Sequence, residues 1–362
     1  MVNNNAQEIT TMKHRLSWAD NAKALGMILV FLGHFIETPA YAGNDFLLEW
    51  YKYIYAFHMP LFFLLAGFFF RPKPIRFGQL FINKMRTRLV PALFFVAITM
   101  PLWMHPSWWK MPDSTPAETW EKTWLLLRGW PVANWPCWFL VCLFSVELIA
   151  SELIPFLEKK LFFLLALPVT YAAGWFLTHN SEAAANLLGI VNGTWFVQEA
   201  VMALSFYLLG VGLARYGHFI LPTHFVATTI KFVICLIIFV DAVPHIFEGE
   251  SRASVNMSAS AHGDWLWFPV AAITGSLMLI QFAGLFPTSK SLAYIGQNTL
   301  PLMGFCGLFL LFFNAVIWRW VPQNISNIYL TAICLAISVG SIAICLPFAA
   351  FLNKLFPWLV GK

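Results

Sequence analysis

The first apolar segment of the chain carries an acid, an amine and an imidazole at helical spacing. Lys23 and His34 are eleven residues apart, almost three turns of an α-helix, so their side chains share one face within about 20°. Asp20 lies three residues before Lys23 on the same stripe. Ionisable groups inside an apolar span are costly and indicate a functional site. A neutral imidazole can activate a hydroxyl group as a general base, so the stripe predicts His34 as a catalytic residue.

Each residue of the stripe also has a structural interpretation. A lone intramembrane histidine can simply hydrogen-bond to a neighbouring helix, and Asp20 and Lys23 can neutralise each other as an i, i+3 ion pair. Gly26 and Gly33 flank the stripe and would let another helix or a ligand approach the backbone closely. Further acids in or near apolar spans are candidate partners for His34 or Lys23: Glu147, Glu199 and Asp241.

The composition identifies a membrane protein. Of the 362 residues, 59% are hydrophobic and 11% are charged, whereas soluble domains carry roughly 25% charged residues. The six cysteines form no C-x-x-C pair and lie mostly in apolar runs. We therefore expect small buried side chains rather than a disulfide framework or a metal site. A nucleic-acid partner is not expected.

Ten apolar stretches approach the roughly 20 residues that a membrane-crossing helix needs. They cover residues 17–37, 50–70, 88–105, 136–155, 161–178, 193–214, 225–247, 264–286, 292–318 and 326–352. With the N-terminus inside, cytoplasmic segments hold fourteen Lys and Arg residues and outside segments hold six. We predict an all-α polytopic membrane protein with about ten transmembrane helices and cytoplasmic termini. Its parts are a cytoplasmic segment 1–16, a membrane domain 17–352 and a cytoplasmic tail 353–362.

A second group of charged residues precedes the third span. Lys84, Arg86 and Arg88 are closely spaced at the end of a basic cytoplasmic segment that begins at Arg71. Their charge is also explained by membrane topology alone, since basic residues keep a loop on the cytoplasmic side of the membrane. Guanidinium groups bind phosphate oxygens bidentately, so a phosphate-bearing cytoplasmic ligand and an anionic lipid head group both suit this segment.

Two other segments have mainly structural interpretations. In the second span, Pro60 is expected to interrupt the helical hydrogen bonds, Ala66-Gly67 permits close packing, and His58 is expected to be structural. Residues 105–135 are rich in tryptophan and proline. Interfacial anchoring explains most of these tryptophans, although indole faces also stack on sugar rings.

Several motifs, in order along residues 17 to about 300, resemble those of the acyltransferase-3 family of membrane acyltransferases. Lys23-x10-His34 resembles the family's Arg/Lys-x10-His signature, and Ser17–Gly26 is similar to sugar O-acetylases. Phe57-His-Met-Pro-Leu-Phe-Phe-Leu-Leu-Ala-Gly-Phe68 resembles the second-helix motif. Trp138-Phe-Leu resembles the fourth-helix motif, and Ile295-Gly-Gln-Asn-Thr-Leu300 resembles the late Gly-x-Asn-Ser/Thr-Leu motif.

The resemblance implies a ten-helix core in the bacterial inner membrane that takes acyl groups from cytoplasmic acyl-CoA, expected to be acetyl-CoA. The acceptor would be a cell-surface glycan or its lipid-linked precursor. His34 would be the base or a covalent relay, Lys23 its paired basic residue, and Asp20 would shape the local field. CoA phosphates would contact Lys84, Arg86 and Arg88. The family's Arg-x-x-Arg pattern is altered here, since Met85 stands where its first Arg would fall.

One geometric difficulty and one alternative remain open. With Trp18 at the inner interface, His34 lies about 24 Å up a bilayer roughly 30 Å thick, far from cytoplasmic CoA. Either the pantetheine arm threads a pore, or the acyl group is relayed, or the helix sits lower. The alternative function is a transporter with Asp20, Lys23 and His34 as a proton or substrate site. Broken helices near Pro60 and Pro301 fit that hypothesis, but the matched repeats common in transporters are not evident.

Overall fold

A computed structural model describes residues 16–41, 43–71, 76–104, 115–189, 193–248, 254–287, 289–315 and 325–362. Almost all of the predicted cytoplasmic segment 1–16, and residues 105–114 of the tryptophan-rich segment, lie outside these ranges. Within them the chain folds into helices, with one isolated β-bridge between Asn256 and Ala261. The predicted all-α class is confirmed.

Fourteen α-helices occupy the described ranges. They are α1 Ser17–Tyr41, α2 Asp45–Phe68, α3 Phe77–Lys84, α4 Val90–Met104, α5 Pro116–Leu127, α6 Trp138–Leu153, α7 Lys160–His179, α8 Ser181–Leu188, α9 Val197–Tyr216, α10 Phe225–His245, α11 Trp267–Gly284, α12 Lys290–Gln297, α13 Thr299–Ala315 and α14 Asn327–Leu355. A π-helical turn, Met85–Leu89, joins α3 to α4.

Eight helical segments in the described part of the chain are long and apolar enough to cross a membrane. They are Ser17–Tyr41, Phe77–Leu102, Trp135–Leu157, Lys160–His179, Thr194–Tyr216, Phe225–His245, Trp267–Gly284 and Asn327–Leu355. The remaining two expected spans correspond to α2, whose 24 residues include several tyrosines, Lys52 and His58, and to the shorter α13. Each of the ten predicted stretches therefore overlaps a helix, and the protein is a multi-pass membrane protein.

The third span begins earlier than predicted. The sequence placed its start at residue 88, after a basic loop, but the helix runs from Phe77 to Leu102. Pro91 has no N–H to donate, and the chain passes this point through the π-helical turn. The carbonyl of Thr87, which Pro91 cannot bond, accepts a hydrogen bond from Arg88 Nη1 at 3.3 Å. The basic residues consequently project from a helix.

The ninth predicted span, 292–318, is divided into α12 and α13. The break is at Asn298, whose side-chain amide donates to the carbonyl of Tyr294 at 2.7 Å. Pro301, near which a broken helix was expected, lies in the first turn of α13 just after the break. The first-turn N–H groups of a helix have no partner within it, so proline fits there without losing a hydrogen bond.

Helices α1 and α2 lie at the centre of the bundle and contact each other along their length. The two glycines that flank the stripe on α1 make this possible. A Cβ added at Gly33 would lie 2.9 Å from the ring of Tyr55, and one at Gly26 would lie 3.0 Å from Leu61. The expected close approach at these glycines is therefore made by a helix, α2.

On its other side α2 packs against α9 through a reciprocal glycine contact. A Cβ at Gly67 would collide with the carbonyl of Tyr207, and a Cβ at Gly210 would collide with the carbonyl of Leu64. The two backbones thus touch, as small residues allow in membrane helices. The helix α2 runs through Pro60 without ending.

The outer helices α7, α10 and α14 turn large apolar side chains outward. Among the exposed residues are Leu161, Phe162, Phe225, Ile237, Val339 and Phe351. Such contiguous apolar surface is expected where helices face lipid. These helices surround the α1–α2 centre, which positions the site.

Candidate active site

Two cavities lie toward opposite ends of the bundle and share one lining residue, Met303. The basic cavity, of about 1100 Å³, lies among the start of α1 and the ends of α2 and α6. The His34 cavity, of about 670 Å³, lies among the end of α1 and the starts of α2 and α6. Lys23 lines the first and His34 the second, about 16 Å apart along α1.

Cations dominate the charged lining of the basic cavity. It contains six cationic side chains: Lys23, Arg71, Lys84, Arg86, Arg88 and Lys362. Two carboxylates, those of Glu147 and Glu152, lie among them. All three residues predicted to contact phosphate therefore meet in one cavity, together with Lys23 from α1. The surplus of positive charge favours an anionic ligand.

Glu147 compensates two of the predicted phosphate-contacting residues. Arg88 Nε and Nη2 donate to its two carboxylate oxygens, each at 2.9 Å, and Lys84 Nζ lies 3.0 Å from Oε1. The Glu147 side chain is only 5% exposed, so this pairing also explains how α6 holds a buried acid. The structure gives Arg86 no acidic partner among the described residues, and its side chain is exposed at the cavity.

The predicted stripe on α1 is divided among three environments. Lys23 faces the basic cavity with Nζ 4.2 Å from the centre of the Phe69 ring. Asp20 is 6% exposed and lines neither cavity. Its carbonyl packs against Gly296 of α12, where a Cβ would collide with it. Asp20 thus lies in a helix–helix contact, and the late glycine motif makes this close contact possible.

His34 lies at the wall of the second cavity with its side chain 13% exposed. Its Nδ1 is 3.2 Å from the hydroxyl of Tyr55 and 3.6 Å from Oε2 of Glu37. Both contacts use Nδ1, so Nε2 is the nitrogen available to a molecule in the cavity. A carboxylate next to Nδ1 favours the tautomer with a proton there and orients the ring. This is the arrangement of an oriented general base.

Aromatic and small polar side chains complete the His34 cavity. The rings of Tyr51 and Tyr55 lie 3.9 Å apart, and Trp135 and Trp138 form part of the wall. Residues 255–258 close another side, and the preceding Ser254 is held by a 2.8 Å hydrogen bond to the hydroxyl of Tyr41. A cavity of rings with several hydroxyl and amide groups suits a polyhydroxylated ligand.

The other candidate residues take different positions. His58 lines the His34 cavity, but its Nδ1 bonds the carbonyl of Ile54 at 2.8 Å, in agreement with a structural role. Glu199 accepts a hydrogen bond from Ser260 at 2.7 Å. Neither Glu199 nor Asp241 lines either cavity. None of the three acids proposed as partners for the stripe contacts His34.

Glu37 and Tyr55 are the site residues that the sequence analysis missed. Glu37 follows His34 by three residues, the same spacing that joined Asp20 to Lys23, so the helix rule could have found it. Tyr55 comes from α2, and only the packing at Gly33 brings it to His34. No local sequence signal marks that contact.

No group of three or more His, Cys, Asp or Glu side chains in the described ranges is arranged to hold a metal ion. The six cysteines are all free, and five of them are buried. They pack as small apolar side chains, as the sequence predicted.

These features define a multi-pass membrane protein with an anion-attracting cavity at one end and an oriented histidine in a separate cavity at the other. The sequence profile of a family described as an acyltransferase domain matches residues 16–351. The chain belongs to this family, acyltransferase-3, and is a membrane acyltransferase. The resemblance of its motifs is thereby confirmed.

A curated relative is similar over a limited stretch. It is the nodulation protein NolL of Sinorhizobium fredii (strain NBRC 101917 / NGR234), 34% identical over 83 residues. These make up 22% of this chain, which spans only 23% of the relative's length. No solved structure matches the chain.

Proposed function

We propose that this protein is an O-acyltransferase of the bacterial inner membrane. It moves an acetyl or other small acyl group from cytoplasmic acyl-CoA to a hydroxyl group of a cell-surface glycan or its lipid-linked precursor. The observation that carries the proposal is the pair of cavities that share Met303, one rich in cations and the other holding His34 beside Glu37. Family membership favours this function over the transporter hypothesis.

The donor would bind in the basic cavity. Arg86 is exposed there and has no acidic partner in the described chain, so it is the best placed guanidinium for a CoA phosphate. Arg88 and Lys84 already contact Glu147 and would contribute mainly through the cavity's positive potential. Anionic lipid head groups share the phosphate chemistry and would compete for the same residues.

The acceptor would bind in the His34 cavity, at the opposite end of α1. Tyr51, Tyr55 and Trp138 offer ring faces for a sugar, and Asn256 and Ser258 offer hydrogen-bonding groups. Binding there would bring an acceptor hydroxyl to Nε2 of His34. The donor's acyl end would have to pass Met303 to meet it.

The chemical step follows from the roles of the two ring nitrogens. Nε2 of His34 takes the hydroxyl proton as the hydroxyl oxygen attacks the thioester carbonyl. The tetrahedral intermediate collapses, the C–S bond breaks, and the CoA sulfur leaves with the proton returned from Nε2. Glu37 stabilises the transient imidazolium through Nδ1. In the relay variant Nε2 attacks the thioester carbonyl, the C–S bond breaks and CoA leaves as the thiolate. The acceptor hydroxyl then attacks the acyl-imidazole, the C–Nε2 bond breaks, and the hydroxyl proton passes to the thiolate. Both routes need Nε2.

The test uses membranes that contain the full-length chain and its native acceptor. With acetyl-CoA, we expect release of free CoA thiol together with acetylated glycan seen by mass spectrometry. His34→Ala should abolish both products, whereas His218→Ala, at an exposed histidine outside both cavities, should abolish neither. Acetyl transfer that survives His34→Ala would refute the catalytic assignment. Solute flux without acetylation would instead favour the transporter.

A further inference from the structure

The two cavities are separated by a thin apolar layer, which we call the septum. It consists of residues that line one or both cavities where they meet: Met59, Phe62, Trp138, Phe139 and Met303. On α2, Met59 faces the His34 cavity and Phe62, one turn later, faces the basic cavity. On α6, Trp138 faces the His34 cavity and its neighbour Phe139 faces the basic cavity. Met303 of α13 alone among the described residues lines both cavities.

The septum is closed in this conformation. Met303 is 3% exposed, and the rings of Phe62 and Phe139 lie 6.0 Å apart between centres. None of its side chains carries a charge. An apolar layer of this kind opposes the passage of phosphates and ions but accepts an uncharged thioester and its acyl group. Under the proposed function, the acyl group would cross at Met303 while the charged part of the donor stays behind.

The backbone beside Met303 is fixed. The buried amide of Asn134 donates to the carbonyl of Gly304 at 2.8 Å and to Thr99 Oγ1 at 3.0 Å. A Cβ at Gly304 would collide with the Phe95 ring, and one at Gly307 would collide with Asn134. With α13 held this tightly, room for passage has to come from side-chain rotation. Methionine is unbranched with three rotatable side-chain bonds, which suits a movable plug on a rigid helix.

We infer that Met303 sets the size of the acyl group that the enzyme transfers. This inference rests on the proposed function and deepens it, because it identifies small acyl groups as the donor class. The volume that the Met303 side chain clears by rotation limits the group that reaches His34. A shorter side chain at this position relaxes the limit, and a bulkier one obstructs passage without altering the basic cavity's cations.

The experiment compares acetyl-CoA, butyryl-CoA and hexanoyl-CoA with inside-out membrane vesicles that carry the full-length chain and native acceptor. Free CoA thiol and the mass of the acylated glycan are measured for the wild type, Met303→Ala and Met202→Ala. Met202 is an equally buried methionine on α9 that lines neither cavity. For Met303→Ala the hexanoyl-to-acetyl ratio of kcat/KM should rise about tenfold or more, the effect of a few methylene groups in an apolar pocket. Met202→Ala should keep the wild-type ratio.

A second variant distinguishes an effect of side-chain size at Met303 from a loss of folding. Met303→Phe retains apolar bulk and should lower kcat for acetyl-CoA at least tenfold, with a smaller change in KM because the cations of the basic cavity are unaltered. An unchanged chain-length ratio in Met303→Ala, or an unchanged kcat in Met303→Phe, overturns the inference while wild-type acetyl transfer upholds the proposed function. Absence of CoA release from any donor by the wild type would overturn the proposed function itself.

Discussion

Arg88 and Glu147 form a two-pronged ion pair between the π-helical turn and α6, with both nitrogen–oxygen distances at 2.9 Å. The pair lies in the wall of the basic cavity and is joined by Lys84 at 3.0 Å. It fixes the third span to the helix that carries Trp138 and Phe139. Because Glu147 uses the charge of Arg88, the pair contributes to structure more than to ligand binding.

Removing the acid of this pair should destabilise the protein. In Glu147→Gln the guanidinium of Arg88 loses its counter-charge, and we expect a loss of about 1–3 kcal/mol, moderated by the 23% exposure of the Arg88 side chain to the cavity. Thermal unfolding in detergent measures the effect. Glu152→Gln, at an exposed acid of the same cavity, is the matched control. Equal unfolding temperatures for the two variants would contradict a structural role for the pair.

Arg86 should affect donor binding and little else. In Arg86→Gln we expect KM for acetyl-CoA to rise about tenfold, because one charge-assisted contact to phosphate is lost. The unfolding temperature should stay unchanged, since the side chain is exposed. The control is Arg76→Gln, an exposed arginine outside both cavities. A fall in kcat with constant KM would show that Arg86 acts on the chemical step instead.

Glu37 should act on the rate through His34. With Glu37→Gln we expect kcat to fall roughly 10- to 100-fold, as for other residues that orient a functional histidine, with little change in KM. The control is Glu49→Gln, near the start of α2, which removes an acid whose ion pair in the described part of the chain is with Lys52. A normal kcat in Glu37→Gln would separate Glu37 from catalysis.

The contact between α1 and α12 should tolerate no side chain at Gly296. An added methyl group meets the carbonyl of Asp20, so Gly296→Ala should cost about 1–3 kcal/mol through overpacking. Gly340→Ala in α14 is the control, because nothing lies near its Cβ position and alanine favours a helix. Unfolding of the two variants should therefore move in opposite directions. Equal stability would place Gly296 outside the packing of α1.

Acid should destabilise the loop 254–263, whose residues 255–258 line the His34 cavity. Burial, with the nearby His179, lowers the pKa of His262 from 6.5 to about 3. In the folded loop the His262 ring therefore stays neutral, while in the unfolded chain it binds a proton below pH 6.5. The contribution of the neutral ring to the free energy of unfolding is complete above pH 6.5 and declines as the pH falls toward 3. The loss is at most about 1.4 kcal/mol per pH unit. Unfolding temperatures at pH 7.5 and 5 should differ less in His262→Gln than in wild type; an identical drop would exclude His262 as the cause.

The periodicity of an α-helix was enough to predict features that depend on one helix alone. The shared face of Lys23 and His34 is correct, because eleven residues of a regular helix fix it. That face extends from the basic cavity to the His34 cavity. No rule that applies within one helix shows that Lys23 and His34 line different cavities. The pairing of Arg88 with Glu147 joins residues 59 apart, so it depends on how α6 packs against the third span.

The wrong boundaries have physical causes as well. A broken helix is expected near Pro301 because proline interrupts a helix interior. The break lies at Asn298, which ends α12 and leaves the proline in the first turn of α13. The basic residues before the third span were assigned to a cytoplasmic loop because lysine and arginine keep loops inside. The structure includes them in the helix, which continues through the π-helical turn to Pro91 and beyond. The expected cytoplasmic termini, the donor and the acceptor remain predictions.

The reciprocal contact of Gly67 with Tyr207 and of Gly210 with Leu64 has a mechanical consequence. Where two backbones touch, neither helix can slide past the other without opening the contact, so α9 supports α2 from outside both cavities. Because α2 contributes to the wall of both cavities, this one contact steadies the proposed donor end and the proposed acceptor end together.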